Sequence, residues 1–350
     1  MTEATAVSAE GRITPADLGL WSAEHARGHA RIAGFIRGQG AVAGVQLAHS
    51  GRKGSMSLPY SRDGLAPLRL VGPGEGGWAV CGPSPIAFGP GAPIPTEMTV
   101  RDIENVLQDY ERSADHAVSA GYQWIEVHAA HGYLPHCFYS PLSNARRDGY
   151  GGDVVGRTRF LRELMERLRR RLPSEIVLAA RISYTDWLPG GWTLEDSVYL
   201  ARELKAIGVD LLDVSSGGNS PDTVAVMKDL PRESHPPEVS NEGLISIYEG
   251  YQVAAAARIR AEAGMPVACV GMIVSPEFAD GVIGDGKADL VMLGRALLRD
   301  PLWVARAALA LGKCERVELA PQYYLGWKSE GNFGYAFGSG AVEAEPFRAL

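Results

Sequence analysis

Apolar residues in this chain gather into short runs of three or four, rich in β-branched side chains, at 45–47, 124–127, 176–179, 211–214, 267–270 and 290–293. Continuous apolar runs of this length fit strands buried on both faces, because a half-buried strand alternates apolar with polar. Longer stretches between them carry helical spacing. Over 102–120, Ile103, Val106, Leu107 and Tyr110 fall on one face. The stretch 194–207 has Thr193 placed to cap it and Gly208 to stop it. A third, 248–263, ends at Gly264 before Pro266. Strand–helix alternation of this kind predicts parallel strands joined by crossover helices.

Two architectures share that alternation, the doubly wound sheet and the (β/α)8 TIM barrel. Polar residues decide between them. His49, Arg52, His128, His131, Arg181, Ser215, Ser216, Gly271 and Arg295 follow nearly every strand. A barrel brings all those strand ends to one face, whereas a doubly wound sheet concentrates its site at one switch point. The barrel is therefore expected. The pattern yields six full strands and a strand end within 1–7, against the eight of a barrel. The expectation is a barrel domain over 1–320 lacking its first strand–helix unit and the start of its second strand, followed by a tail or arm over 321–350. The intervening 54–99 is rich in Pro and Gly and shows no helix.

Composition narrows function mainly by exclusion. The formal net charge of −7 over 350 residues gives no global attraction for nucleic acid. The basic run 167–171 sits in an amphipathic pattern and reads as a solvated helix face. Cys81, Cys137, Cys269 and Cys314 form no C-x-x-C spacing, so neither zinc nor an iron–sulfur cluster is suggested and a reducing cytoplasm is expected. No apolar run approaches ~18 residues, and Glu3 and Glu10 do not belong to a secretory signal.

Four motifs carry candidate chemistry. Gln46 lies in a strand leading into Ala48-His49-Ser50-Gly51-Arg52. Its amide donates and accepts together, which suits the edge of a planar heterocycle as well as a buried loop tie. His128-Ala129-Ala130-His131-Gly132-Tyr133 offers two imidazoles and a phenol separated by small residues. They suit a carbonyl or anion clamp with a proton donor, a metal pair, or histidines packed in a core. Arg181 at an apolar strand end needs an anionic partner, either a ligand or one of the acidic residues. Gly271 and the pair Gly294-Arg295 follow the last two strands, where barrels bind phosphate. By contrast, Gly72-Pro73-Gly74-Glu75-Gly76-Gly77 matches G-x-G-x-x-G but has no strand before it and no helix after it, so it fails as a dinucleotide fingerprint.

Taken with Ser140-Pro141-Leu142-Ser143-Asn144, Tyr150-Gly151-Gly152 and Leu298-Arg299-Asp300-Pro301, these motifs make the chain resemble the old yellow enzyme family, in its thermophilic-type ene-reductase branch, from Met1 to about Arg306. The resemblance implies FMN as cofactor and NADPH, or NADH, as hydride donor. It implies that Gln46 and Arg181 contact the flavin ring, that Ala4 lies beside it, and that Ser215 and Gln252 join the cofactor pocket. Gly271, Gly294 and Arg295 are then the phosphate residues. His128 and His131 hold the carbonyl of an enone, or a nitro group, and Tyr133 supplies the proton. Partners are small molecules, with homo-oligomerisation left open. Where some relatives extend an Arg into a neighbour's site, this chain has Leu325. A truncated, weakly active flavin-binding relative and a metal-dependent barrel hydrolase are the alternatives.

Overall fold

The computed structural model describes residues 1–61, 64–66, 68–229 and 245–335. Among them, one parallel sheet holds β1 (Ala4–Ala6), β2 (Gly44–Ala48), β3 (Trp124–Ala129), β4 (Val177–Ser183), β5 (Leu211–Ser215), β6 (Val267–Cys269) and β7 (Leu290–Val291) in that spatial order. Each strand's neighbour in space is its neighbour in sequence. A doubly wound sheet reverses its order at a switch point, and this one never does. The strands instead turn one way, as in the (β/α)8 class. Among the described residues β1 and β7 are not paired with each other.

Register fixes which side chains meet. Gln46 pairs with Glu126, Glu126 with Ala179, and Ala179 with Leu211. Two residues further on, His128, Arg181, Asp213 and Ala268 form a row, and above it Ser183 pairs with Ser215. Residues two apart share a face, so Gln46, Glu126, His128, Arg181, Asp213, Ser183 and Ser215 all project from one face of the sheet. The same face carries an apolar cluster of Ala179, Leu211 and Ala268, flanked by Trp124 and Met292. The other face presents Val45, Leu47, Ile125, Val127, Leu178, Ile182, Leu212 and Val214, all buried. Helices α1 (Ala23–Gly38), α2 (Val100–Ser119), α4 (Val154–Arg171), α5 (Leu194–Ile207) and α6 (Val253–Ala263) connect the strands, with a short α3 (Leu134–Tyr139) after β3. Each contributes a buried stripe, such as Phe160, Leu161, Leu164, Met165 and Leu168 of α4. Burial of each such large side chain stabilises by roughly 1.5–3 kcal/mol.

Three details depart from the pattern-based expectation. Strand β4 runs on to Ser183 and so carries Arg181 within the sheet. Helix α6 begins at Val253 and not near 248, because Gly250 adopts φ +80° and its N–H bonds Gly271 O at 2.7 Å, turning the chain before the helix starts. Helix α1 escapes the periodicity because its buried stripe is only Ala26, His29 and Ala33. The basic run of α4 lies at the surface and reaches neighbouring acids: Arg167 meets Glu104 at 2.7 Å, Arg171 meets Asp115 at 2.6 Å and Arg169 meets Asp210 at 3.2 Å. Exposed pairs of this kind are worth at most ~1 kcal/mol each. The Gly72–Gly77 stretch is a 3-10 turn at Pro73–Glu75 with no helix behind it.

The described residues form two compact units, one of 1–272 with 286–292, the other of 273–285 with 293 onward. The second contains α7 (Pro276–Gly284), α8 (Arg295–Arg299) and α9 (Trp303–Ala310). Its core is Ala305, Ala308, Cys314, Leu319 and Phe333, and Lys313 pairs with Asp280 at 3.0 Å. Of the tail expected over 321–350, residues from 336 onward lie outside the described residues. Among those described, no helix is long and apolar enough to cross a membrane.

Helix α5 depends on a complete capping box. Thr193 Oγ1 accepts from Asp196 N at 3.2 Å, and Asp196 Oδ2 accepts from Thr193 N at 3.1 Å. Thr193→Ala is expected to lower the unfolding free energy by ~1 kcal/mol, read as a lower urea midpoint at unchanged m-value.

Candidate active site

The loop after β3 makes an abrupt reversal. His131 and Gly132 take φ of +60° and +75°, two consecutive left-handed residues. Position 132 admits only glycine, since a Cβ there would lie 2.4 Å from Gly218 O and 2.8 Å from Asn219 Cα. His131, which carries a side chain, pays strain on the order of 1 kcal/mol or more, offset by bonds from all sides. Its N–H donates to Ser183 Oγ at 3.0 Å, and its carbonyl accepts from Lys53 Nζ at 2.8 Å. Gly132 N–H donates to His136 Nδ1 at 2.9 Å, and His136 Nε2 lies 3.0 Å from Asp186 Oδ1, both side chains fully buried. Asp186 is fixed in turn by Ser140 Oγ at 2.5 Å and Trp192 N at 2.8 Å.

This loop gathers the three residues expected to act on substrate. The His128 and His131 rings meet edge-on with centroids 5.1 Å apart, and His128 meets Tyr133 at 4.9 Å. Both imidazoles are neutral. Burial, then the nearby Arg181 and Lys53 charges, bring His128 down to about 3. Burial and the His128 and Arg181 charges hold His131 well below the usual histidine range. Ala130 N–H donates to His128 Nδ1 at 3.2 Å, which leaves the ring proton on Nε2. For His131, Nε2 lies 2.7 Å from Ser215 Oγ. Gln252 is pinned by donating Nε2–H to Val270 O at 2.8 Å, so its Oε1 accepts from Ser216 Oγ at 2.6 Å and from Ser215 Oγ at 3.4 Å. A neutral imidazole carries one ring N–H. Burial pushes the Tyr133 phenol up to about 12, so it stays protonated. The Lys53 amine stands 5.1 Å from the Tyr133 ring centroid and is itself brought down to about 8 by burial.

The cofactor candidates of the sheet lie on the same face. Gln46 donates Nε2–H to Glu126 Oε1 at 2.6 Å, while its own Oε1 takes no hydrogen bond among the described residues. Arg181 Nε lies 3.4 Å from Asp213 Oδ2 without hydrogen-bond alignment. Its terminal nitrogens take no hydrogen bond among the described residues, and the side chain is 21% exposed. An open amide acceptor and open guanidinium donors match the imide N–H and the anionic N1–C2=O edge of a reduced flavin, so the residues present fit FMN. Ala4 and Tyr133 line one cleft with Ala48, Ser50 and Asp17. Gly271, at φ +133°, allows its backbone to run close against Gln252 and Tyr251, where a Cβ would sit 3.1 Å from each. Gly294 and Arg295 belong to the second unit, at the start of α8.

Sequence reading missed Lys53, Glu126, Asp213 and the His136–Asp186 pair. Glu126 and Asp213 had a signal, a carboxylate inside an otherwise apolar run. Lys53 follows directly on the Gln46–Arg52 motif. No group of three His, Cys, Asp or Glu able to hold a metal occurs among the described residues.

The profile of the NADH:flavin oxidoreductase / NADH oxidase family matches residues 1–313. An NADPH dehydrogenase of Geobacillus thermodenitrificans is 40% identical over 328 residues, which is 94% of this chain and 83% of that one. Among solved structures, a 2-naphthoyl-CoA reductase in complex with 2-naphthoyl-CoA superposes with TM-score 0.71 at 22% identity over 89% of this chain, which spans only 44% of that protein. Morphinone reductase superposes with TM-score 0.67 at 21% identity over 88% of this chain and 76% of its own. These two likenesses concern the fold.

The buried neutral histidines predict acid sensitivity. Above the ordinary histidine value of about 6.5 neither folded nor unfolded His128 binds a proton. As pH falls from there toward the folded value of about 3, only the unfolded chain gains one, so stability falls. His49, brought down to about 4 by burial, adds in the same sense. Urea unfolding between pH 6.5 and 4 is expected to show His128→Gln losing stability less steeply than the parent, by up to about 1.4 kcal/mol per pH unit. Equal slopes would count against a buried neutral His128.

Proposed function

The chain belongs to the NADH:flavin oxidoreductase / NADH oxidase family, and from that premise we propose that it reduces the C=C bond of α,β-unsaturated carbonyl or nitro compounds. At the coarser level it is an FMN-dependent NAD(P)H oxidoreductase. The observation that carries the finer reading is the meeting of two neutral imidazoles and a protonated phenol, with ring centroids about 5 Å apart, on the face that also carries Gln46 and Arg181.

FMN, when bound, carries the hydride from the nicotinamide to the substrate carbon. The protein supplies the rest. Gln46 and Arg181 take the polar edge of the ring, with Ala4 beside it and Ser215 and Gln252 completing the pocket wall. Gly271, Gly294 and Arg295 stay assigned to the phosphate on sequence grounds. His128 and His131 offer their ring N–H groups to the substrate oxygen and stabilise the negative charge that grows there. Being uncharged, they polarise that oxygen without protonating it. A donor of this type is worth about 3–4 kcal/mol in the transition state. Tyr133 gives its proton to the α-carbon, and the nearby Lys53 cation favours the phenolate left behind. All four cysteines are free, which fits the proposed place in a reducing cytoplasm.

The purified protein is expected to be yellow, to bleach under anaerobic NADPH and to recover its colour on addition of cyclohexenone. A folded protein that takes up no FMN would sink the reading. Tyr133→Phe should slow reoxidation by the enone about 100-fold while leaving reduction by NADPH near its parent rate. Equal damage to both half-reactions would remove Tyr133 from the proton-donor role. His131→Ala should weaken phenol binding, followed by the long-wavelength charge-transfer band.

A further inference from the structure

Glu126 is a carboxyl group that the reaction does not need as acid or base, and its setting is unusual. It is fully buried within β3, and its Oε2 has no hydrogen-bond partner. Its Oε1 has one partner, the Gln46 amide at 2.6 Å, whose backbone stands opposite it in the sheet. Isolated burial of a carboxyl costs several kcal/mol, so a chain that only needed to fill this position would be better served by an apolar residue.

A glutamine amide in a site can turn over, exchanging its oxygen for its nitrogen, and the two ends look alike in shape but opposite in hydrogen bonding. Both oxygens of a carboxylate only accept. A protonated carboxyl with its hydrogen on the unpartnered Oε2 still accepts at Oε1. With Oε1 accepting, as in the 2.6 Å bond here, Glu126 selects the NH2 end of Gln46 and leaves the Gln46 oxygen as the end that meets a ligand, whereas a carboxyl carrying its hydrogen on Oε1 would select the other end. Burial, then the Asp213 charge, raises Glu126 to about 8, and burial also raises Asp213. The selection is therefore strictest where the carboxyl is ionised, above about pH 8.

Resting on the flavin site argued above, we propose that Glu126 is a positioning residue that locks the Gln46 amide with its oxygen toward the cofactor, so that the site demands a hydrogen-bond donor at that point of the ring, the imide N3–H. A glutamine at 126 would break the lock, because it can present either an acceptor or a donor to Gln46.

The test is binding of FMN and of N3-methyl-FMN to deflavinated protein, measured by quenching of flavin fluorescence. The parent should bind FMN about tenfold or more tightly than the methylated analogue, the scale of one buried unmet acceptor. In Glu126→Gln the ratio should shrink to about threefold or less, even if both affinities drop. A merely structural role for Glu126 would lower both affinities together and leave the ratio unchanged, and that result would overturn the proposal. Gln46→Leu, which deletes the amide, should also collapse the ratio, and it carries the test if Glu126→Gln does not fold. A ratio retained in Gln46→Leu would overturn the proposal equally. A parent that binds both flavins alike removes the lock but leaves the flavin site standing, whereas a parent that binds neither removes the flavin site and the lock with it.

Discussion

The structure turns on the cost of placing ionisable groups within the barrel sheet. Glu126, Asp213 and Arg181 project from one face of three adjacent strands, over a layer of Ala179, Leu211 and Ala268. None of the three is neutralised well. Asp213 has no aligned hydrogen bond, Glu126 has one, and Arg181 keeps its terminal nitrogens open. An apolar trio at these positions would be more stable. The arrangement makes sense if a ligand completes it, and the positive end of the set points toward an anionic one. Burial first, and then the same positive charge with Lys53, holds His128 and His131 neutral. One electrostatic arrangement therefore serves both the ring-binding edge and the substrate-binding end of the site.

A second arrangement serves the loop. Strain at His131 and Gly132 is met by a chain of contacts running through His136, Asp186, Ser140 and Trp192. These residues touch no substrate, yet they decide where the imidazoles and phenol stand. Ser215, Ser216, Gln252 and Val270 form a hydrogen-bonded row against His131 Nε2. The geometry of the three reacting side chains is thus determined by strands β4 to β6 as much as by the loop that bears them.

Much of this was legible in the sequence, for a physical reason. Strands buried on both faces must be continuously apolar, so the runs around Val127, Leu178 and Val214 stood out, and the polar residues at their ends marked one face. Sequence order could not show that space repeats it, which is what separates the barrel from the doubly wound sheet. Glu126 and Asp213 were hidden by the same rule that exposed the strands, because a lone carboxylate in an apolar run reads as an interruption. The late start of the helix expected from 248 turned on Gly250, whose left-handed turn depends on a bond to Gly271 that no local pattern contains. Arg181 invited two readings, an ion pair or a counter-charge to a ligand, and the structure supplies a weak pair with nitrogens left over.

The site draws on Gln46, on the loop around His131, on Arg181 and on Ser215 with Gln252, so its members are spread over more than half of the chain. Contacts of such separation form late and slowly in folding. During synthesis from the N-terminus, the serines, Gln252 and Val270 that back His131 emerge well after His131 itself. Cofactor capture is therefore a closing event of assembly, and a nascent chain halted before Gln252 holds a loop of histidines whose later partners have not yet been made.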